Sequence, residues 1–560
     1  LRAVSTLARQ CVSILSLWRT AERFCERAGK EGAPLDALLT EYRSYFTSAV
    51  FIEHAMALLR ENPNVAEITE RISARLSVRD LTVERLVKQA HALQAKSILY
   101  ISNAISSLRT LAKINFEPLF ESVSLVHKYL SADEGYAGMD FDSREYYRRG
   151  ITSIAQVLQA SEPAVARAAA DMAKRSGIHV GEYIVGSRRR ELMAALGRVP
   201  ARARLADWMR RHMLLLYAGG TAVSTVISAA LLSIPLFLMH PPVYGILGFF
   251  ISLIPIYTVA VTISNRMMTF FQKPAFIPKL ALKQGLTEDM ATMVVIPALV
   301  TSEEDGAGLV QKMEVYWAAN QQANLYFTLL SDFKEDKNEI AAYDEELIRK
   351  LDAMVAALNA KYGREIFFYV QRRRVRIAES GRFGGWERKR GALLNFCALL
   401  TEDSDAFTHV SGRMPRGIKY VITLDADTAL GRDAVVRMVG AMEHPLHRPV
   451  VDESKGIVTQ GYGIMQPRIG VDVVSAAKSR LSMVFAGKGG LDTYASAASD
   501  VYQDNFGTGI FTGKGIFNLN VYMRVLGNAF PDNAILSHDL LEGSYLRCAL
   551  LTDVVLMDGC

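Results

Sequence analysis

Hydrophobic patterning divides the chain into three regimes. Up to about Gly197, apolar residues recur at helical spacing, as at Ile98, Ile101, Ile105 and Leu108, in a background of Ala, Leu, Glu and Arg. This predicts a helical N-terminal region over residues 1–200. Ser97 to Phe116 is not a membrane span, because Asn103, Arg109, Lys113 and Asn115 interrupt it. Met213 to Met239 carries no charge, His240-Pro241-Pro242 breaks it, and Val243 to Ile263 is a second uncharged run. Each run is long enough to cross a bilayer, so a transmembrane helical hairpin is predicted over 213–263. The competing reading, a buried hairpin in a soluble core, fits two adjacent uncharged runs poorly.

Beyond Phe271-Gln272-Lys273-Pro274 strands alternate with helices. Strands are predicted at Met293–Leu299, Leu325–Leu330 and Ile366–Val370, and again where Val421 leads an apolar run. Helices are predicted at Glu303–Ala319, Tyr343–Tyr362 and from Lys389 to Leu400. Alternation of this kind builds an α/β domain, a mostly parallel sheet with flanking helices, here over 290–560. The start at Leu1 and the end at Cys560, just after the strand-like run Leu550–Leu556, predict a piece of a longer polypeptide.

Charge and cysteine content change this picture little. A net charge of +6 on 560 residues does not point to nucleic acid. The basic residues that cluster do so at Arg188-Arg189-Arg190, Arg202, Arg204, Arg210 and Arg211, just before the first apolar run. That placement suits an anionic membrane surface and puts both flanks of the hairpin on the cytoplasmic side. Cys11, Cys25, Cys397, Cys548 and Cys560 are scattered and odd in number, which predicts reduced thiols rather than a disulfide framework or a zinc site.

The candidate chemistry begins at Val421-Ile422-Thr423-Leu424-Asp425-Ala426-Asp427-Thr428. A buried strand ends on two carboxylates one residue apart, at the end of the sheet where open α/β folds place ligands. Two crowded acids suit a hard divalent ion shared with substrate phosphates. A phosphatase motif of the haloacid-dehalogenase type needs Thr where Ala429 stands, and a calcium loop fails at Ala429 and Leu430. The bland alternative makes Asp427 or Thr428 the N-cap of a helix after Gly431.

Asp332 ends a strand, where it can accept from a nucleobase or ribose. Lys389-Arg390-Gly391 opens a helix with cations suited to phosphate, or is simply a solvated basic helix start. Gln466-Pro467-Arg468 follows the strand-like stretch Val458–Met465, and suits sugar hydroxyls and phosphate or caps a sheet edge. Phe506 to Gly515 fails the phosphate-loop spacing, and reads as a glycine-rich loop that lets a sugar approach near Gly513 and Lys514. Ser537-His538-Asp539-Leu540-Leu541-Glu542-Gly543 supplies a carboxylate for base catalysis. Asp539 is the candidate, or the N-cap of a helix running to Cys548; Glu542 and Asp504 are the next choices. Met139-Asp140-Phe141-Asp142 reads as a charged and aromatic cluster or a salt-bridged helix start.

Asp332, Asp425-Ala426-Asp427 and Asp539, in this order after an apolar hairpin, resemble an inverting, metal-dependent glycosyltransferase of the GT-A fold. More narrowly, Thr423 to Thr428, Gln466-Pro467-Arg468, Thr512 to Ile516 and Ile535 to Gly543 are similar to the cyclic β-1,2-glucan synthases, as are Ile105 to Arg109 and Met139 to Phe141. Thr508 and Asn518 depart from that family, which has acidic residues there. The resemblance implies UDP-glucose as donor, a divalent metal (Mg or Mn) on Asp425 and Asp427, and donor contacts from Asp332, Lys389, Arg390, Asp425, Gln466 and Arg468. It places Gly513, Lys514, His538 and Glu542 on the acceptor side. It implies a growing glucan chain as product, a bacterial inner-membrane location with a cytoplasmic catalytic domain, and a phosphorylase-like domain C-terminal to these residues. Another processive β-glycan synthase, or an inactive nucleotide-sugar-binding scaffold, are the competing functions. A scaffold has no need of a base.

Overall fold

The computed structural model describes residues 2–30, 32, 34–60, 65–271, 274–377, 380–402, 404–472, 476–480, 483, 500–532, 534–535 and 537–559. Gln272, Lys273, Leu536 and Cys560, which figure in the sequence motifs above, lie outside them. The chain forms two compact units, residues 1–120 and 121–560.

The first unit is helical, with Arg2–Ala28, Leu35–Glu41, Ala49–Leu59, Val65–Ser77 and Val83–Lys113 as its principal helices. Phe24, Phe46 and Phe51 form an aromatic centre with ring centroids 5.6–5.9 Å apart. The apolar face at Ile98, Ile105 and Leu108 lies on the long Val83–Lys113 helix and is exposed.

The second unit opens with short helices between Leu125 and Arg211. Residues 121–200 thus belong to the same compact unit as the sheet, not with the first 120. Asp140 caps the Phe141–Leu158 helix by accepting from the Ser143 amide, so the Met139–Asp142 cluster is a helix start. Two helices then follow, Met213–Met239 and Pro242–Phe271, both long and apolar enough to cross a membrane. The second runs past Ile263, because Asn265 is taken up by a hydrogen bond from Tyr217 (2.7 Å) rather than ending the helix. Thr221 also donates to Ser264 (3.1 Å), so the polar groups of the pair face each other. Their apolar side chains, Leu214, Leu231, Phe250 and Ile254 among them, are exposed.

The remainder is a nine-stranded mixed sheet. Its strands are β1 (Thr292–Leu299), β2 (Leu325–Asp332), β3 (Phe367–Arg372), β6 (Phe407–Val410), β7 (Tyr420–Thr423), β8 (Thr428–Leu430), β11 (Ile464–Val471), β12 (Gly515–Asn518) and β13 (Cys548–Asp558). Two small hairpins, β4 (Val375–Arg376) with β5 (Phe383–Gly384) and β9 (Val450–Asp452) with β10 (Ile457–Gln460), complete the set. The order across the sheet is β6-β3-β2-β1-β7-β12-β11-β13-β8. β1, β2, β3 and β7 are parallel, β12 runs against β7 and β11, and β13 is parallel to β11.

The alternation in β1 explains the two-sided burial. Val294 and Ile296 join the core under the Glu303–Ala319, Asp344–Tyr362 and Ala434–Met442 helices. Met293 and Val295 join the core under Arg388–Thr401 and Leu519–Leu526. The chain steps outward from β1 to β3, then returns to β7 on the other side of β1. That reversal opens a crevice at the strand ends, and the Asp425 segment leaves β7 into it.

Three local expectations differ in detail. Val458–Met465 is two strands, because Gly461 turns the chain at φ +66° with Arg448 O only 2.0 Å from where a Cβ would sit. Gln466, Pro467 and Arg468 therefore lie inside β11 rather than after a strand. Thr428 begins β8, and the next helix starts at Ala434, so neither Asp427 nor Thr428 caps it.

The helices of residues 121–200 meet the sheet domain through His444, which contacts Tyr147 and His179, and through one short segment at 279–281. Leu280 N donates to Gly440 O (2.9 Å), Asp140 N to Lys279 O (3.2 Å) and Ala281 N to Gly138 O (2.9 Å). A Cβ on Gly440 would stand 2.3 Å from Leu280 O. Gly440→Ala is expected to force this seam apart and cost about 1–3 kcal/mol, lowering the thermal unfolding midpoint by several degrees. An unchanged midpoint would show that the 279–281 segment does not clamp the helix.

Candidate active site

Asp425, Ala426 and Asp427 form a turn at the C-terminal end of β7, closed by Thr428 N donating to Asp425 O (3.1 Å). The Glu303–Ala319 helix pins that turn: Lys312 donates to Ala426 O (2.6 Å) and Tyr316 to Thr428 O (2.8 Å). The Asp425 carboxylate is gripped from both sides. Lys389 donates to Oδ1, while Lys514 lies 3.1 Å from Oδ2. Burial pushes this carboxyl up, but the charges of Lys389 and Lys514 outweigh it and hold the group below the ordinary carboxylate range. Asp427 is exposed and makes no side-chain hydrogen bond or ion pair among the described residues.

The two lysines arrive from separate elements. Lys389 lies in the first turn of the Arg388–Thr401 helix, which begins with three cations and no acidic residue. Cations at the positive end of a helix oppose its dipole, an arrangement that an anionic ligand relieves. Lys389 also donates to Gly513 O (2.8 Å), joining this helix to the glycine-rich loop. Lys514 bridges Asp425 and Asp558, and Thr428 donates to Asp558 (2.7 Å). Asp558, at the end of β13, is a site neighbour that no sequence motif marks. It is placed there by β8 pairing with β13.

Beside this cluster a cleft of about 550 Å³ opens over the ends of β1 and β2, lined by Leu299, Asp332, Lys334, Gly385, Arg388 and Lys389. Asp332 receives two hydrogen bonds from Arg372, at 2.6 and 2.8 Å. A carboxylate offers about four acceptor positions, so Asp332 keeps capacity for a ligand. Gly385 must be Gly, because a Cβ there would meet Arg372 Nη2 at 2.4 Å and Asp332 Oδ2 at 2.7 Å. Arg372 was legible only as one of three consecutive arginines ending β3. The other buried one, Arg374, pairs with Asp344.

Other candidate residues are spoken for within the fold. Arg390 is buried, pairs with Glu387 and lies over the Phe530 ring. Gln466 is buried, accepts from Thr512 N (3.0 Å) and donates to Pro467 O (2.9 Å), so it braces the glycine-rich loop. Arg468 is half-buried on β11, with no ion pair to the Asp425 cluster among the described residues. Asp504 accepts from Ala275 N (2.6 Å), at the exit of the apolar helices.

His538, Asp539 and Glu542 converge, with ligating atoms all within 4.8 Å. The helix here is Asp539–Leu546, with His538 before it and no side-chain cap. Asp539 is therefore not an N-cap. Gly513 carries φ +85° and stands where a Cβ would meet Asp539 Oδ1 at 2.8 Å, so only Gly allows this approach. His538 Nε2 and Asp539 Oδ1 are buried 3.4 Å from each other, and neither makes a hydrogen bond. Burial pushes the Glu542 carboxyl up to about 8, with Asp539 adding to it, although a hydrogen bond from Tyr522 (2.9 Å) opposes the shift.

That shift fixes a pH dependence. Between about 4.5 and 8 the folded protein keeps a Glu542 proton that the unfolded chain has released, so the contribution to stability falls as pH rises through this window. Glu542→Gln keeps the acceptor for Tyr522 and has nothing to ionise. Thermal unfolding should show wild type losing stability relative to Glu542→Gln as pH is raised from about 5 to 8. Parallel pH profiles would contradict the buried-proton assignment.

No protein-family model matches the chain. Two crystal structures of LgtC, an active-site mutant and a galactosyltransferase complex with donor and acceptor sugar analogues, align with 46% of this chain and 72% of theirs. Their TM-scores are 0.20 and 0.21 at 12% and 13% identity. The chain is 33% identical over 556 residues to the cyclic β-(1,2)-glucan synthase NdvB of Rhizobium meliloti (strain 1021), a match that covers 93% of this chain and 19% of NdvB. The likeness first carried by a few motifs thus extends over nearly the whole of this chain, while the chain spans about a fifth of that relative's length.

Proposed function

We propose that this chain is the glycosyltransferase portion of a membrane-bound β-1,2-glucan synthase, an inverting enzyme of the GT-A type that takes glucose from UDP-glucose. The observation that carries this reading is the convergence of Asp332, Asp425, Lys389 and Asp539 on one crevice at the strand ends. They come from four elements: the Lys389 and Gly513 contacts join Asp425, Lys389 and Asp539, and Asp332 lines the same cleft as Lys389. Similarity to NdvB supports the choice of sugar and linkage. The two apolar helices support a bilayer location, and the arginines before the first of them favour the cytoplasmic side for the catalytic unit.

In this reading the cleft over β1 and β2 takes the nucleoside, and Asp332 accepts from the base or ribose beside its Arg372 pair. Lys389 and Lys514 lie along the diphosphate and balance its charge. Asp425 and the exposed Asp427 offer the oxygen ligands that a hard divalent ion such as Mg or Mn requires. The ion, when bound, adds positive charge at the leaving diphosphate. Asp539, whose buried Oδ1 makes no hydrogen bond and lies 3.4 Å from His538 Nε2, accepts the proton of the acceptor hydroxyl. As that oxygen bonds to the anomeric carbon from the opposite face, the carbon–phosphate oxygen bond breaks and UDP leaves with the electron pair. His538 and Gly513 flank the acceptor hydroxyl. Glu542, kept neutral by burial, adds no second negative charge near neutral pH.

Linkage-sensitive NMR of the product made by membranes containing the full-length protein and labelled UDP-glucose tests the function. β-1,2 linkages are expected; another linkage would redirect the assignment to a different β-glycan synthase. Within the same assay Asp539→Asn keeps size and loses the ability to take a proton. Transfer is expected to fall by roughly 10²–10⁴, with UDP-glucose binding by titration calorimetry nearly unchanged. Near-normal transfer would remove Asp539 from the role of base.

A further inference from the structure

The cavity at the foot of the apolar helices lies apart from the crevice that holds Asp425. It has a volume of about 1,170 Å³ and is lined by Arg149, Arg189, Arg190, Arg210 and Arg211. Its walls include both the residues that lead into the first apolar helix, Asp207 to Arg211, and those that follow the second, Pro274 and Phe276. Tyr146 packs on Phe276 with ring centroids 5.3 Å apart, and Ala275 is tied to Asp504, so this wall is fixed to the catalytic unit. A 27-residue helix is about 40 Å long against a hydrocarbon core of about 30 Å. Its ends therefore reach the headgroup layer, and the cavity sits at that depth.

The charges in the cavity do not balance. Arg149 pairs with Glu145 (3.1 Å), which Arg148 also engages (3.0 Å). Arg190 and Arg211 share a single carboxylate, Asp207, at 3.1 and 3.3 Å. Asp142 stands exposed at the rim. Arg189 is held by Ile184 O (3.1 Å) and Ser153 Oγ (3.0 Å), both neutral. Neither Arg189 nor Arg210 pairs with a carboxylate among the described residues. Burial and, after it, repulsion from Arg210 disfavour the Arg189 charge. Asp207 offsets part of this, but two guanidinium groups without a carboxylate partner facing one cavity match the planar, multi-donor recognition of a phosphoryl group.

We propose that this cavity is a binding site for a phosphoryl group, which at this depth is the headgroup of an anionic phospholipid, held between Arg189 and Arg210. The site rests on the membrane reading of the two helices and is independent of the transfer chemistry. Occupied, it ties the entrance and exit of the helix pair to the catalytic unit through a lipid.

The full chain, reconstituted in nanodiscs of phosphatidylcholine with or without phosphatidylglycerol and then analysed by native mass spectrometry, tests the site. Wild type is expected to retain phosphatidylglycerol over phosphatidylcholine by about tenfold or more. Arg189→Gln with Arg210→Gln should abolish that preference. Arg210→Glu should do the same from an exposed position that leaves folding intact, and Arg189→Lys with Arg210→Lys should keep part of it. Arg175→Gln, outside the cavity, should change nothing. Displacement of the lipid by millimolar inorganic phosphate would support the same site filled by a soluble phosphoryl group. Undiminished lipid preference in both the glutamine and the glutamate variants overturns the proposal. Failure to enter phosphatidylcholine nanodiscs would sink the membrane reading and the site with it, whereas equal retention of the two lipids sinks the site alone.

Discussion

The charge arrangement around Asp425 is the constraint on which the candidate site depends. One carboxylate at the end of a buried strand binds Lys389 from a helix on one face of the sheet and Lys514 from the glycine-rich loop. Lys514 carries the link on to Asp558 at the far end of β13. Half-buried charges are costly when alone, and removing one partner leaves the others uncompensated. The network therefore holds four chain segments, separated by up to 169 positions in sequence, in one geometry. It also lowers the repulsion between Asp425 and Asp427, because the inner carboxylate is already neutralised and the outer one is left free.

Around this centre the fold uses glycine where side chains from two elements must nearly touch. Gly385 lets Arg372 reach Asp332, and Gly513 lets Asp539 face the loop. In both cases the carboxylate singled out by its motif is positioned by a residue with no side chain. Gly391 completes the pattern: a Cβ there would meet Trp386 O at 2.1 Å, so the start of the Lys389 helix depends on it. These close approaches leave His538 Nε2 and Asp539 Oδ1 buried side by side, 3.4 Å apart and without a hydrogen bond.

The helix pair is joined to this scaffold rather than hung from it. Tyr217 packs against Phe506 with centroids 5.7 Å apart, and Asp504 on the same short helix holds Ala275 at the exit. Entrance and exit thus meet the catalytic unit at one place, which is also where the arginine-lined cavity opens. A phosphoryl group there would act on the joint between bilayer and enzyme without touching the reacting atoms.

The sequence by itself determined the elements whose periodicity is dictated by burial. Glu303–Ala319 was legible to the residue, and Met293–Leu299, Leu325–Leu330 and the two apolar helices nearly so, because a two-sided sheet and an apolar helix leave unambiguous runs. It also marked the carboxylates, since acids at the end of an apolar strand stand out against their surroundings. Tertiary structure decided what those residues do. Whether Arg390 faces a ligand or Glu387, whether Gln466 meets a sugar or the Thr512 amide, and whether Asp332 stands alone or with Arg372 depend on partners 3 to 46 positions away. Strand order decided the rest: Asp558 joins the site only because β13 crosses to pair with β8, and long-range pairing of that kind leaves no local trace in the chain.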